Sequence, residues 1–185
     1  MIIVISGPPG SGKTSVAKEL SRRLNIPYIS AGGLFRKIAE EKGISVVELN
    51  ILAEKNFEID RLVDSEIINT VKKFNDVIVE SHIAGWILND VADVKVYLYA
   101  PFYIRAKRIS ERDKISLQRA MEEIVAREYS HYTRFKKYYG IDILDVSNFD
   151  LIINTENLNL NAIIDLLVSF IRNKQEHIQN RVSTL

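Results

Sequence analysis

The segment Gly7-Pro8-Pro9-Gly10-Ser11-Gly12-Lys13-Thr14 matches G-x-x-x-x-G-K-[ST], and its flanks constrain the fold more than any other feature. An apolar run from Met1 to Ile5 precedes it, and Val16, Ala17, Leu20 and Leu24 follow at helical spacing. Strand, glycine-rich loop and helix in that order make an anion cradle. The glycines let the backbone curl so that successive N–H groups point inward, where a Cβ would obstruct them. The start of the helix adds unpaired donors and a partial positive charge. Lys13 is placed to reach β- and γ-phosphates, and the Thr14 hydroxyl to ligate Mg²⁺. Gly7 through Ser15 are therefore expected to bind ATP or a similar triphosphate. The competing reading is a glycine-rich turn that binds nothing; the complete motif, its context and its place at the chain start weigh against it.

Downstream, short apolar runs alternate with helical patterns, the signature of a parallel sheet covered on both faces. Strands are expected at Ile2–Ser6, Tyr28–Ser30, Val77–Glu80, Val94–Ala100 and Leu151–Asn154. Several are continuous apolar runs, as strands buried on both faces should be. Helices are expected at Lys13–Leu24, Leu34–Lys42, Val46–Glu54, Asp60–Phe74, Phe102–Arg112, Leu117–Tyr139 and Ala162–Asn173. Ser45 and Glu48 have capping-box spacing. No strand pattern falls between Ser30 and Val77, so that stretch reads as an inserted helical lobe. Arg105 to Tyr139 reads as helix, break and helix, the form of a hinged flap, and the polar tail from Gln175 to Leu185 as frayed.

The 185 residues suit one α/β domain with inserted lobes. A net charge of +1 argues against a broad nucleic-acid-binding field, so no nucleic-acid partner is expected. The absence of cysteine excludes disulfides, thiolate metal sites and a cysteine nucleophile. No apolar run approaches the roughly 18 residues of a membrane span. Met1 leads straight into a core strand, which leaves no room for a signal peptide. A cytoplasmic enzyme without a membrane partner is the expectation.

Arg105, Arg108 and Arg112 share one helix face, Arg127 and Arg134 share another, and Arg36 follows Gly32-Gly33. A solvated face with surface ion pairs accounts for any one of them. The set is better explained by a phosphate-loop protein's need for cations around a transferring phosphoryl group. Glu80 ends an apolar strand in a Walker-B-like position, suited to holding Mg²⁺ through water or to positioning a substrate group. The alternative is a strand-end glutamate facing solvent. GTPase switch elements, D-x-x-G and N-K-x-D, are missing, which favours a small kinase acting on a phosphorylated acceptor.

Further segments carry a resemblance: Ser30-Ala31-Gly32-Gly33-Leu34-Phe35-Arg36, Phe57-Glu58-Ile59-Asp60-Arg61, Glu80 to Trp86, Ala100 to Arg112, and Tyr139-Gly140-Ile141-Asp142. In order and spacing the chain resembles the archaeal-type cytidylate kinases, of the nucleoside monophosphate kinase superfamily, over almost its whole length. The resemblance implies ATP + CMP ⇌ ADP + CDP, with dCMP often accepted. It implies one P-loop kinase domain over residues 1–174 with a five-stranded parallel core, an NMP-binding lobe over about 31–75 and a LID over about 108–134. Residues 175–185 remain as the tail, and a monomer is expected. Gly12, Lys13 and Thr14 would serve ATP and Mg²⁺, and Arg36 would grip the acceptor phosphate. Arg108 and Arg112 would open the LID, and Arg127 and Arg134 would close it. Ser30, Gly32, Asp60, Arg61, Glu80, His82 and Gly85 would complete the acceptor side. His82 stands where many relatives carry Arg, and a histidine cannot form a permanent bidentate phosphate clamp. Another small P-loop kinase, adenylate kinase above all, and a regulatory ATPase remain as alternative readings.

Overall fold

The structure, a computed structural model, describes residues 1–182. Its centre is one parallel sheet in the order β2-β3-β1-β4-β5. The strands are β1 (Ile2–Ser6), β2 (Tyr28–Ser30), β3 (Val77–Glu80), β4 (Val94–Tyr99) and β5 (Leu151–Asn154). The helices are α1 (Lys13–Leu24), α2 (Ala31–Glu41), α3 (Val46–Lys55), α4 (Glu58–Val71), α5 (Ala84–Ile87), α6 (Phe102–Asp113), α7 (Leu117–Tyr139) and α8 (Leu160–Val182). The α/β fold expected from the alternating pattern is the one observed.

Register explains why the central strands β1 and β3 are apolar along most of their length. Ile3 aligns with Ile78 and Val94, and all three join α1 and α8 in one core layer with Leu20, Ile164 and Leu167. The next residue, Val4, aligns with Val79 on the other face, where Val63, Ile67 and Val71 of α4 cover it. A strand covered on both faces cannot alternate apolar with polar.

Between β2 and β3 run α2, α3 and α4, with a small core of Ala39, Leu49, Ala53 and Ile59. The Ser45–Glu48 capping box forms as its spacing predicts. Helix α2 begins at Ala31 instead of Leu34, because the Ser30 hydroxyl accepts the Gly33 N–H and caps the helix earlier. Helix α4 starts two residues earlier and ends three residues earlier than its expected span, Asp60–Phe74, with the Asn56 side chain taking the Glu58 N–H. Helices α6 and α7 pack through Ala106, Ile109, Ala120 and Ile124, and the break between them is a left-handed Lys114 followed by the Ser116 cap.

At the C-terminus the expected helix Ala162–Asn173 proves longer. The segment read as a frayed tail continues α8 as far as Val182, and residues 183–185 lie outside the described ones. One short helix, α5, has no counterpart in the sequence pattern, since four residues are too few for a period to show.

Gly85 in α5 is buried against Phe149, and a Cβ there would fall on the edge of that ring. Its N–H goes to Ser6 Oγ and its carbonyl accepts from Asn148. Expected on the acceptor side, Gly85 is seen here as a packing residue. Gly85→Ala is therefore expected to cost about 1–3 kcal/mol of stability by overpacking, and Phe149→Leu in the same chain to recover part of it. Denaturant unfolding of the single and double variants checks this.

Candidate active site

The phosphate loop joins β1 to α1 at the carboxyl edge of the sheet, where ligands of open parallel sheets bind. Gly7 and Gly10 are required by close approach. A Cβ on Gly7 would collide with the Leu98 carbonyl, and one on Gly10 would stand 2.8 Å from the Arg105 Cβ and carbonyl oxygen. Their φ angles of +144° and +80° are closed to ordinary side chains in any case. Gly12, also at positive φ, caps α1, so the first turn of the helix opens directly onto the loop.

Two donors already converge inside that loop. Pro8 O accepts from Lys13 Nζ at 2.8 Å and from the Ser11 N–H at 3.3 Å. An anionic oxygen at the same point would take both bonds and add charge. Burial lowers the Lys13 pKa to about 8, opposed by the Glu80 carboxylate and reinforced by Arg127, Arg105 and Arg112.

Glu80 is buried at the end of β3, so the alternative of a solvent-facing glutamate is excluded. Its Oε2 accepts from Thr14 Oγ1 at 3.1 Å and from Ser30 Oγ at 2.7 Å. Ser30 in turn caps α2. One carboxylate therefore joins the phosphate loop to the inserted helices.

The arginines divide into two groups. Arg36 lies with its guanidinium beside Gly32, whose added Cβ would stand 3.5 Å from Nη1. Arg127 has a buried Nε without a hydrogen-bond partner, and its pKa is lowered by burial and then by the like charges of Arg112 and Arg36. Arg112, with Lys13, belongs to the same field, although its guanidinium rests on the neighbouring Asp113 at 2.6 and 2.7 Å. Arg36, Arg112 and Arg127 gather like charge that Asp113 and Glu123 offset in part, a setting suited to an anion.

The second group is spoken for. Arg108 donates to Thr155 Oγ1 at 2.8 Å, Thr155 O at 2.7 Å and Gly10 O at 3.4 Å. Arg134, buried, places Nη1 against both Asp60 oxygens at 2.7 and 2.9 Å and Nη2 against Asn50 at 3.2 Å. Asp60 and Arg134, expected on the acceptor side and in the LID, are thus found paired with each other across α4 and α7. Arg61 is exposed and lies 3.4 Å from Glu58.

His82 has a partner the sequence did not suggest. Its Nδ1 lies 2.7 Å from His131 Nδ1, and His131 stacks on Phe135. Burial, and then surrounding cations that include Lys13 and Arg127, hold both imidazoles well below the usual histidine range. Neutral rings bonded Nδ1 to Nδ1 must be opposite tautomers, one donating and one accepting. The available signal was helical spacing, since Arg127, His131 and Arg134 fall at i, i+4 and i+7 on α7. Thr155 was also missed as a neighbour of the loop. A depression of about 460 Å³ between α1 and α8 is lined by Arg23, Asp165 and Arg172. It lies at the far end of α1 from Lys13, roughly 15 Å along the helix, and is separate from this site.

Residues 2–157 match the family model described as the cytidylate kinase-like family. The chain belongs to the cytidylate kinase-like family. It is 53% identical over 180 residues to a cytidylate kinase of Sulfurisphaera tokodaii, covering 96% of this chain and 100% of that one. It is 51% identical over 177 residues to a cytidylate kinase of Sulfolobus acidocaldarius, covering 96% and 97% of the two chains. In fold it is similar to the solved shikimate kinase of Bacteroides thetaiotaomicron, with a TM-score of 0.61 at 17% identity, over 93% of this chain and 98% of that one. The shared architecture of this cytidylate kinase-like chain and that structure extends across the sheet and its flanking helices.

The lowered Lys13 pKa makes the loop's affinity pH-dependent. Below about 8 the ammonium is charged and favours polyphosphate; as pH rises through that value the free protein loses the charge. Its folded pKa lies below the unfolded one, so this group adds stability as pH rises from about 8 towards 10.5. Equilibrium binding of ATP between pH 7 and 10 should therefore weaken with a midpoint near 8 while Lys13 contributes no loss of fold stability. Affinity that is flat across this range would contradict the assignment.

Proposed function

We propose that this chain is an ATP-dependent kinase that transfers the γ-phosphoryl group to CMP, with dCMP as a second acceptor, giving ADP and CDP. The observation that carries the reading is the Glu80 bridge, which joins Thr14 of the phosphate loop to Ser30 at the head of α2. A donor loop and an acceptor lobe built around one buried carboxylate suit transfer between two nucleotides. Family membership and the high identity to cytidylate kinases support CMP as the acceptor.

The NMP-binding lobe is assigned to α2, α3 and the start of α4, and the LID to the α6–α7 hairpin, within one kinase domain. Arg36 extends from α2 for the acceptor's phosphate, and Arg112 and Arg127 extend from the hairpin. The acceptor phosphate, with a second pKa of about 6, is largely dianionic at neutral pH and is already a nucleophile. No general base is needed, which suits a site whose two histidines are tied to each other. Lys13, Arg36, Arg112 and Arg127 orient donor and acceptor and neutralise negative charge around the transferring group. Closure of the hairpin over the cleft excludes water, which would otherwise compete as acceptor.

Mg²⁺ fits the donor set. The Thr14 hydroxyl and the Glu80 carboxylate are adjacent hard oxygens beside the loop. A Mg²⁺ site of one carboxylate completed by substrate phosphates and water is the common arrangement. Held there by Thr14 and Glu80 with ATP bound, it would supply positive charge against that of the phosphates. No helix among the described residues is long and apolar enough to cross a membrane. The reading is of a cytoplasmic, monomeric enzyme acting on small molecules.

An ADP-release assay across CMP, dCMP, UMP, AMP and GMP should show CMP and dCMP as the preferred acceptors. Preference for AMP would make the chain an adenylate kinase, and ATP hydrolysis without any transfer would point to a regulatory ATPase. Lys13→Met should abolish turnover in the same assay. Arg36→Ala should raise KM for CMP about tenfold or more, because a charge-assisted phosphate contact is lost, while leaving ATP binding intact. Unchanged KM and kcat in that variant would remove Arg36 from the acceptor site.

A further inference from the structure

The phosphate loop is held from behind as well as shaped from within. Pro9 O accepts from Arg105 Nη1 at 3.0 Å, Gly10 O from Arg108 Nη1 at 3.4 Å, and Ser11 O lies 3.1 Å from Thr155 Oγ1. In a planar trans peptide the C=O of one residue and the N–H of the next point in opposite directions. Three successive carbonyls drawn outward therefore turn the N–H groups of Gly10, Ser11 and Gly12 to the inner side.

We propose that Arg105 and Thr155 are positioning residues for phosphoryl transfer. Together with Arg108 they hold consecutive loop carbonyls outward, so that the opposed N–H groups face the phosphates of a nucleoside triphosphate, that of Ser11 exchanging its contact with Pro8 O for them. The inference rests on reading Gly7–Thr14 as a triphosphate loop.

The surroundings of Arg105 leave it no other task. It is 7% exposed, its Nε donates to Ala100 O at 3.0 Å, and its Nη1 also pairs with Glu128 of α7. With Nε and Nη1 committed to two carbonyls and a carboxylate, the guanidinium is fixed behind the loop. Its fixed charge still stands behind the loop and is felt at Lys13. Because Glu128 follows Arg127 on α7, the arm that carries a free arginine also anchors the back of the phosphate cradle.

Thr155 acts through one hydroxyl. It accepts from Arg108 Nη1 at 2.8 Å, and its single proton serves Ser11 O at 3.1 Å or Tyr99 O at 3.2 Å. The residue is 2% exposed and directly follows β5, so the edge strand of the sheet reaches the loop through it. The same contacts give Arg108 a positioning task in place of the nucleotide contact expected of it. A glycine-rich loop free to sample many conformations would lose that freedom on binding; here the surrounding fold has already restricted it.

The test compares Thr155→Val, Thr155→Ser and Arg105→Lys with the parent chain. Direct ATP binding, KM for ATP and for CMP, kcat and Tm are measured for each. Thr155→Val removes the hydroxyl at nearly constant volume and should weaken ATP binding about tenfold, with KM for CMP little changed. Thr155→Ser should restore ATP affinity. Arg105→Lys keeps the charge but cannot serve Ala100, Pro9 and Glu128 together, and should resemble Thr155→Val. If Arg105→Lys fails to fold, the threonine pair decides alone. Parent-like ATP affinity in Thr155→Val overturns the proposal, as does an equal loss for ATP and CMP that follows a fall in Tm. A parent chain that binds no ATP would instead overturn the reading of the loop itself.

Discussion

A carboxylate buried at the end of a central strand must find donors or cations, since an ionised group left unpaired in the interior is costly. Glu80 meets this requirement with the Thr14 and Ser30 hydroxyls, and Lys13 lies within its field. The three partners come from the phosphate loop, the first turn of α1 and the cap of α2. Satisfying one buried charge therefore sets the phosphate loop against the inserted helices. The rest of the site follows from that join, because Arg36 lies on the helix that Ser30 caps.

Around this join the cations do different work according to what burial lets them touch. Arg105, Arg108 and Arg134 are enclosed by carbonyls, a hydroxyl and carboxylates, and their charge is spent on holding backbone and helices in place. Lys13 feels the charge of Arg127 and Arg112, and Arg127 that of Arg112 and Arg36, a cluster that Glu80, Asp113 and Glu123 offset in part. Burial, reinforced by the neighbouring cations, keeps the His82–His131 pair neutral, so these imidazoles serve as a hydrogen-bonded strut between the segment after β3 and α7 and not as bases.

Much of the fold was legible because its signals are local. The bounds of β1, β2, β3 and β5 match the apolar runs, and α1 and α7 match their helical patterns, bounded by Gly12 and by Ser116 and Gly140. Misplaced ends had non-local or weak causes. Helix α2 starts early because Ser30, itself tied to Glu80 from a distant strand, can cap it. Polar residues after Asn173 carry little apolar period, yet α8 continues past them. Of the site, the loop and Glu80 were readable from motif and strand position, whereas Arg108 and Arg134 were grouped with the phosphate-facing arginines on helical spacing and family resemblance. Helical spacing reports a shared face and says nothing of what opposes it.

By itself the sequence determined the parallel α/β architecture, the triphosphate loop and the stock of cations near it, because strand pattern, glycine placement and helical period are properties of neighbouring residues. Which arginines are committed to other protein groups was set by tertiary contacts. Asp60 lies 74 positions from Arg134 along the chain, and Thr155 lies 47 from Arg108; no periodicity connects them. Their pairing arises when α4 meets α7 and when β5 reaches the loop. A guanidinium's role depends on the charge and donors that folding places opposite it, and that is set by packing between distant segments.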